Sequence, residues 1–179
     1  MPKPRHLLQQ RVHIKTAPDC ARLARCALPT IRAIDGLDVE VGGQDLLLLG
    51  EDELTLAEGV ARLRRVFPDT LEVGEPTVVY QRDPLREPIM RVTVTTSPSR
   101  EDEIRACLRA RAAQFVASAR GRDELRIHAL APLSRLLGCQ QQWRRTARSG
   151  ETLRLEFSHF QTVDAGRAPP LGPWRERSA

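Results

Sequence analysis

The side chains best suited to chemistry in this 179-residue sequence are its arginines. Of 28 basic residues only Lys3 and Lys15 are lysines. A guanidinium presents a planar fork of donors that fits phosphate or carboxylate oxygens in pairs, so the chemistry on offer is anion recognition. The charges are unevenly placed. Residues 1–82 carry 11 basic and 12 acidic side chains, residues 83–179 carry 17 and 11, and the formal net charge is +5. A basic half beside a near-neutral half points to an anionic partner for the second half. A GC-rich genome would also enrich Arg, so position rather than number has to carry the argument.

Groups for bond-making chemistry are scarce. Cys20, Cys26, Cys107 and Cys139 form no Cys-x-x-Cys pair and have no His at zinc-finger spacing. They sit among apolar or small residues, which predicts buried free thiols. His6, His13, His128 and His159 are scattered, and His13 and His128 read as strand residues rather than ligands. No Ser-His-Asp, Cys-His or paired-carboxylate arrangement is visible, so the sequence predicts no enzyme, metal or cofactor. A phosphate-cradling Gly-Lys loop is excluded because Lys3 and Lys15 follow Pro2 and Ile14. No apolar run approaches the roughly 20 residues of a membrane span, and no apolar leader follows Met1. A cytoplasmic protein is expected, with no membrane partner.

The elements that must position these arginines follow from periodicity. Val12 and Ile14 alternate in a strand, Pro18-Asp19 opens a helix that Pro29 limits or kinks, and Leu37 to Val41 turns through Gly42-Gly43 into the apolar strand Leu46 to Leu49. Glu51-Asp52-Glu53 begin a helix, where the dipole favours carboxylates, and Leu56, Val60, Leu63 and Phe67 give it one apolar face. Leu71 to Val73 closes a β-α-β-β-α-β unit. A second copy follows: strand Met90 to Val94, a helix from Glu101 with Ser99 as cap, strands Phe115 to Ala117 and Leu125 to Ala129, a helical segment Pro132 to Arg144, and a strand through Leu153, Leu155 and Phe157. The prediction is an α+β chain of two tandem ferredoxin-like domains, each an antiparallel four-stranded sheet with two helices on one face. The expected boundaries are a flexible N-terminus 1–9, a first domain 10–81, a linker 82–87, a second domain 88–163 and a flexible Pro/Arg-rich tail 164–179. Trp174 in that tail is a candidate docking aromatic.

Particular segments go further than the fold. Leu85-Arg86-Glu87-Pro88-Ile89-Met90 resembles the opening of domain V of elongation factor G, the translocation GTPase, and Leu155-Glu156-Phe157-Ser158-His159-Phe160 resembles its closing strand. Between them, Ala131-Pro132-Leu133-Ser134-Arg135-Leu136-Leu137-Gly138 resembles a Val-Pro-Leu-x-x-Met-Phe-Gly segment of that domain. In the first half, Gly50-Glu51-Asp52-Glu53-Leu54-Thr55-Leu56 stands where domain III carries Gly-x-Gly-Glu-Leu-His-Leu, and Gly74 to Tyr80 resembles the domain III exit. Tyr80 is separated from Glu87 by six residues, so the region corresponding to domain IV is missing. The resemblance implies domains III and V joined directly, without GTPase, barrel or translocating domains.

In that family domain V lies against the ribosomal stalk base and near the sarcin–ricin loop. The resemblance therefore implies the ribosome and its RNA as partners, and Arg105, Arg109, Arg111, Arg144, Arg145 and Arg148 as candidate RNA contacts. Arg111 and Arg144 match arginines of two family segments, while Ala110, Ala112 and Ala113 replace Arg, Arg and Gly. Trp143 fits a core position better than a base-stacking one. The expected function is a non-enzymatic ribosome-binding protein that modulates translation. The alternatives are a protein–protein adaptor acting through a sheet face or the tail, and an accessory subunit of a separate GTPase.

Overall fold

A computed structural model describes residues 6–15, 20–42 and 45–163. The predicted tail with Trp174, the Asp19 cap, Gly43 and the side chains of Cys20 and Cys26 lie outside the described residues.

The first unit comprises β1 (Leu8–Ile14), α1 (Cys20–Arg32), β2 (Leu37–Gly42), β3 (Asp45–Gly50), α2 (Glu53–Val66), β4 (Leu71–Val73) and β5 (Thr77–Val78). Its sheet runs β2-β3-β1-β4, all antiparallel, and β5 pairs with the far end of β1. The second unit comprises β6 (Arg86–Thr96), a 3-10 turn at Pro98–Arg100, α3 (Glu101–Ala110), β7 (Gln114–Arg120), β8 (Leu125–Pro132), α4 (Leu133–Leu136), α5 (Cys139–Thr146) and β9 (Thr152–Thr162). Its sheet order is β7-β8-β6-β9. Both orders place the first and third strands of the unit side by side at the centre, the ferredoxin-like arrangement.

Alternation decides which face of each sheet is covered. On β1 and β3, Leu8, Val12, Ile14, Leu46 and Leu48 are buried towards the helices. On α2 and its C-cap, Leu56, Val60, Leu63 and Phe67 meet them, all under 9% exposed. Gly59 lets α2 approach β2 closely, since a Cβ there would stand 2.6 Å from a Leu37 methyl. In the second unit Val92, Val94, Leu125, Ile127 and Ala129 play the same part against Ile104, Leu108 and Leu136. The buried residues of both units join in one continuous core cluster. None of the described helices is long and apolar enough to cross a membrane.

Several boundaries differ from the sequence reading. Leu7 and Leu8, assigned to a flexible stretch, are buried, and β1 begins at Leu8. Pro29 does not end α1, which continues to Arg32. The expected linker is a closed turn, with backbone hydrogen bonds in both directions between Gln81 and Arg86 (3.0 and 2.9 Å). Pro132 to Arg144 is not one helix, because Gly138 sits at φ +76° between α4 and α5 and breaks it. Ser97, not Ser99, provides the capping oxygen, and it caps the 3-10 turn rather than α3. Leu47 and Leu49 of β3, on the face away from the helices, are half-buried.

Candidate nucleic-acid interface

The six candidate arginines lie on the helix side of the second unit, but their guanidinium groups are engaged very differently. Arg105 and Arg109 are one turn apart on α3, with their guanidinium carbons 5.0 and 5.5 Å from the centre of the Phe115 ring on β7. Arg105 also donates to Glu101 (2.9 Å), and Arg120 reaches the other oxygen of the same carboxylate (3.0 Å). The ring and the carboxylate hold these side chains in fixed poses. Cation–π contact leaves the in-plane N–H groups pointing outward.

Arg111 serves the fold. It donates to the Arg135 and Leu137 carbonyls (2.9 and 3.3 Å) and to Gln142 Oε1 (2.8 Å). These are the otherwise orphaned last carbonyls of α4, so Arg111 caps one helix and holds the next. Most of its donors are spent there. Arg144, Arg145 and Arg148 are exposed on α5 and the loop after it. Arg144 borders a depression shared with Asp52 and Glu58 of the first unit. Trp143 is partly buried against the core, as expected.

One arginine that the sequence reading did not single out anchors this surface. Arg100 is 6% exposed and grips Glu103 with two contacts (2.6 and 2.9 Å), together with Glu151 and the Thr146 carbonyl (3.5 Å). Glu151 in turn accepts from the Thr96 hydroxyl (2.6 Å) and the Arg148 backbone N–H (2.8 Å). Burial pushes the Glu151 carboxyl up, but the Arg148 N–H, the Thr96 hydroxyl and Arg100 outweigh it and hold the group below the usual carboxylate range. The loop carrying Arg148 is therefore fastened to the start of α3.

A second missed contact joins the units. Asp52 caps α2, accepting from the Thr55 N–H (2.8 Å), as the helix-start reading expects. Glu53 does something else. It is 8% exposed, and its Oε1 accepts from the Gly138 N–H (2.8 Å) across the boundary between the units. Burial pushes its carboxyl above the ordinary glutamate value, against the opposing pull of the Gly138 N–H and Arg111. Beside this bond, Leu8, Met90, Leu133 and Phe157 line a cleft of about 400 Å³ between the units.

Cys139 is buried, and burial pushes its thiol up. Cys107, expected to be buried, is exposed on α3, where Ile104 and Leu108 take the inward face. His13 bonds Asp45 (2.9 Å) and His128 bonds Thr93 (3.2 Å), the roles of ordinary strand residues. No group of three or more potential metal ligands occurs among the described residues.

No family model matches the chain, and no curated protein matches it. A solved structure of a protein from Thermus thermophilus is similar, with a TM-score of 0.64 and 17% sequence identity over 93% of this chain. That match covers 42% of the Thermus protein, so the chain spans less than half of its length. At this identity the likeness is one of fold alone.

Proposed function

We propose that this chain is a cytoplasmic, non-enzymatic module that binds the ribosome at the factor-binding region. The second unit would contact ribosomal RNA and the bound module would modulate translation. The observation that carries the reading is the meeting of two of the segments that resemble elongation factor G. The Gly50–Leu56 segment and the Ala131–Gly138 segment touch through the Glu53–Gly138 bond. Two independent segments of family-like wording are thus joined at one structural point, which favours inheritance of a whole assembly over chance likeness. The exposed Arg144, Arg145 and Arg148 supply phosphate contacts that need no particular base sequence.

Sedimentation with purified ribosomes tests this. Comigration is expected at low salt and should weaken as salt rises, since each phosphate contact releases counterions. R144E combined with R145E should weaken it further. Absence of comigration at low and moderate salt rejects the reading. One observation favours the adaptor alternative: Val116, on the edge strand β7, is 65% exposed. An adaptor would retain a non-ribosomal protein in pull-downs and release it on Val116→Asp.

A further inference from the structure

We propose that the open face of the second sheet, opposite its helices, is a separate contact surface for the phosphate backbone of double-helical RNA. This deepens the ribosome-binding reading, on which it rests, by adding a second RNA surface.

The sheet register builds the surface. On β6, Arg91, Thr93 and Thr95 alternate with the inward Met90, Val92 and Val94. Arg91 lies between Leu130 and Glu156, Thr93 between His128 and Arg154, and Thr95 between Arg126 and Thr152. The result is three rows across three adjacent strands, with successive rows about 6.6–6.8 Å apart along the strands. Together they line a shallow depression of about 740 Å³. Each row contributes one arginine. Arg91 is exposed, and the side chains of Arg126 and Arg154 are 51% and 72% exposed. The one carboxylate in the rows, Glu156, is held by Arg154 at 2.9 Å, and Arg126 pairs with Glu124 beside the rows at 3.0 Å; both pairs are solvent-exposed, so phosphate oxygens can compete for the guanidinium groups.

Two features select the partner. The rows contain guanidinium and hydroxyl groups and the single imidazole of His128, but no Phe, Tyr or Trp ring, so a run of unpaired bases has no extended stacking platform. Half-buried Leu130 is the one apolar residue in the rows, and exposed Val116 with Ala117 borders the depression at the β7 edge, so apolar anchorage for a protein partner is confined to one side while the arginines span the rows. Donors repeated along a regular surface suit the backbone of a duplex, which is recognised by shape and phosphate position. The first sheet provides the contrast. Its corresponding face presents Asp38, Glu40, Asp45 and Glu72 against Arg11 and His13, which both pair with Asp45, and so carries a net negative charge. A polyanion is therefore drawn to one sheet and repelled by the other.

The test is binding of the full chain to a labelled short RNA duplex over a range of salt, beside the triple variant R91Q/R126Q/R154Q. These side chains are solvent-facing, and a thermal melt checks that the variant folds. The variant should bind about tenfold more weakly or worse at low salt, and the slope of log affinity against log salt should shrink by about 2–3. Unchanged affinity and slope would overturn the proposal. So would competition by polyglutamate as effective as that by duplex RNA, or binding confined to single strands. Ribosome comigration is scored separately. If duplex binding is lost in the variant while the wild type fails to join ribosomes, the sheet assignment stands and the ribosomal reading falls. If ribosome and duplex binding both survive the triple variant, the sheet assignment falls alone.

Discussion

Arg100→Ala is expected to lower the unfolding free energy by about 3–5 kcal/mol, the range for breaking a buried ion pair by removing one partner. For a chain of this size that corresponds to roughly 6–20 °C in Tm. The reason lies in what remains behind. The Glu151 side chain is only 5% exposed, and without Arg100 it keeps the Thr96 hydroxyl and the Arg148 N–H but no cation. Glu103→Ala, by contrast, should cost much less, because that carboxylate is 62% exposed and water replaces its partner. Thermal melts of the two variants side by side check the ranking, and equal losses would refute it. Acid gives a second check. The Glu151 carboxyl is held low in the folded chain, so its contribution is present above the ordinary glutamate pKa of about 4.3 and is lost as pH falls through the depressed value. The gap between wild type and Arg100→Ala should therefore narrow on acidification.

This network also explains which parts of the molecule could be read in advance. Strands and helices follow from patterns confined to a few residues. Leu56, Val60, Leu63 and Phe67 announce the inward face of α2, and all four are buried. The repeated element order, and with it both sheets, is legible for that reason. Arg100 has no such signal. It stands between Ser99 and Glu101 like any surface arginine, and its partner Glu151 lies 51 positions away. Short-range rules also misplace breaks. Leu133, Leu136, Leu137 and Trp143 keep helical spacing, yet Gly138 takes a left-handed conformation between them. Cys107 illustrates the limit of composition: apolar neighbours suggest burial, but α3 turns that position outward.

The candidate site divides along the same line. Arginine type and clustering mark the second unit, but only the folded chain distinguishes their duties. Arg111 matches a family arginine and yet spends its fork on Arg135, Leu137 and Gln142. Arg105 and Arg109 are held over Phe115, and Arg144 and Arg145 stand exposed. The rows on the open sheet were invisible because Arg91, Arg126 and Arg154 come from three separate strands. Pairing register alone assembles them.

Glu53→Ala should cost about 1–3 kcal/mol, because it leaves the partly buried Gly138 N–H without its acceptor. Beyond that loss, it should loosen one unit from the other. The bond spans 85 positions and lies beside the cleft between the units. Calorimetry is expected to show one transition in the wild type and two in Glu53→Ala. A single unsplit transition at wild-type temperature would refute the assigned role. Glu53→Gln separates hydrogen bonding from charge, since its carbonyl oxygen can still accept from Gly138. Burial raises the Glu53 carboxyl above its unfolded value. The folded chain therefore holds this proton more tightly, and the associated stabilisation is present below about pH 4.3 and is lost as pH rises through the raised value. Glu53→Gln carries no such titration. It should match or exceed wild-type stability at pH 7, and that advantage should shrink as the solution is acidified towards pH 4. The trend is opposite in sign to that of the Arg100–Glu151 network, so a pH series on the two variants distinguishes a junction that resists charge from a knot that requires it.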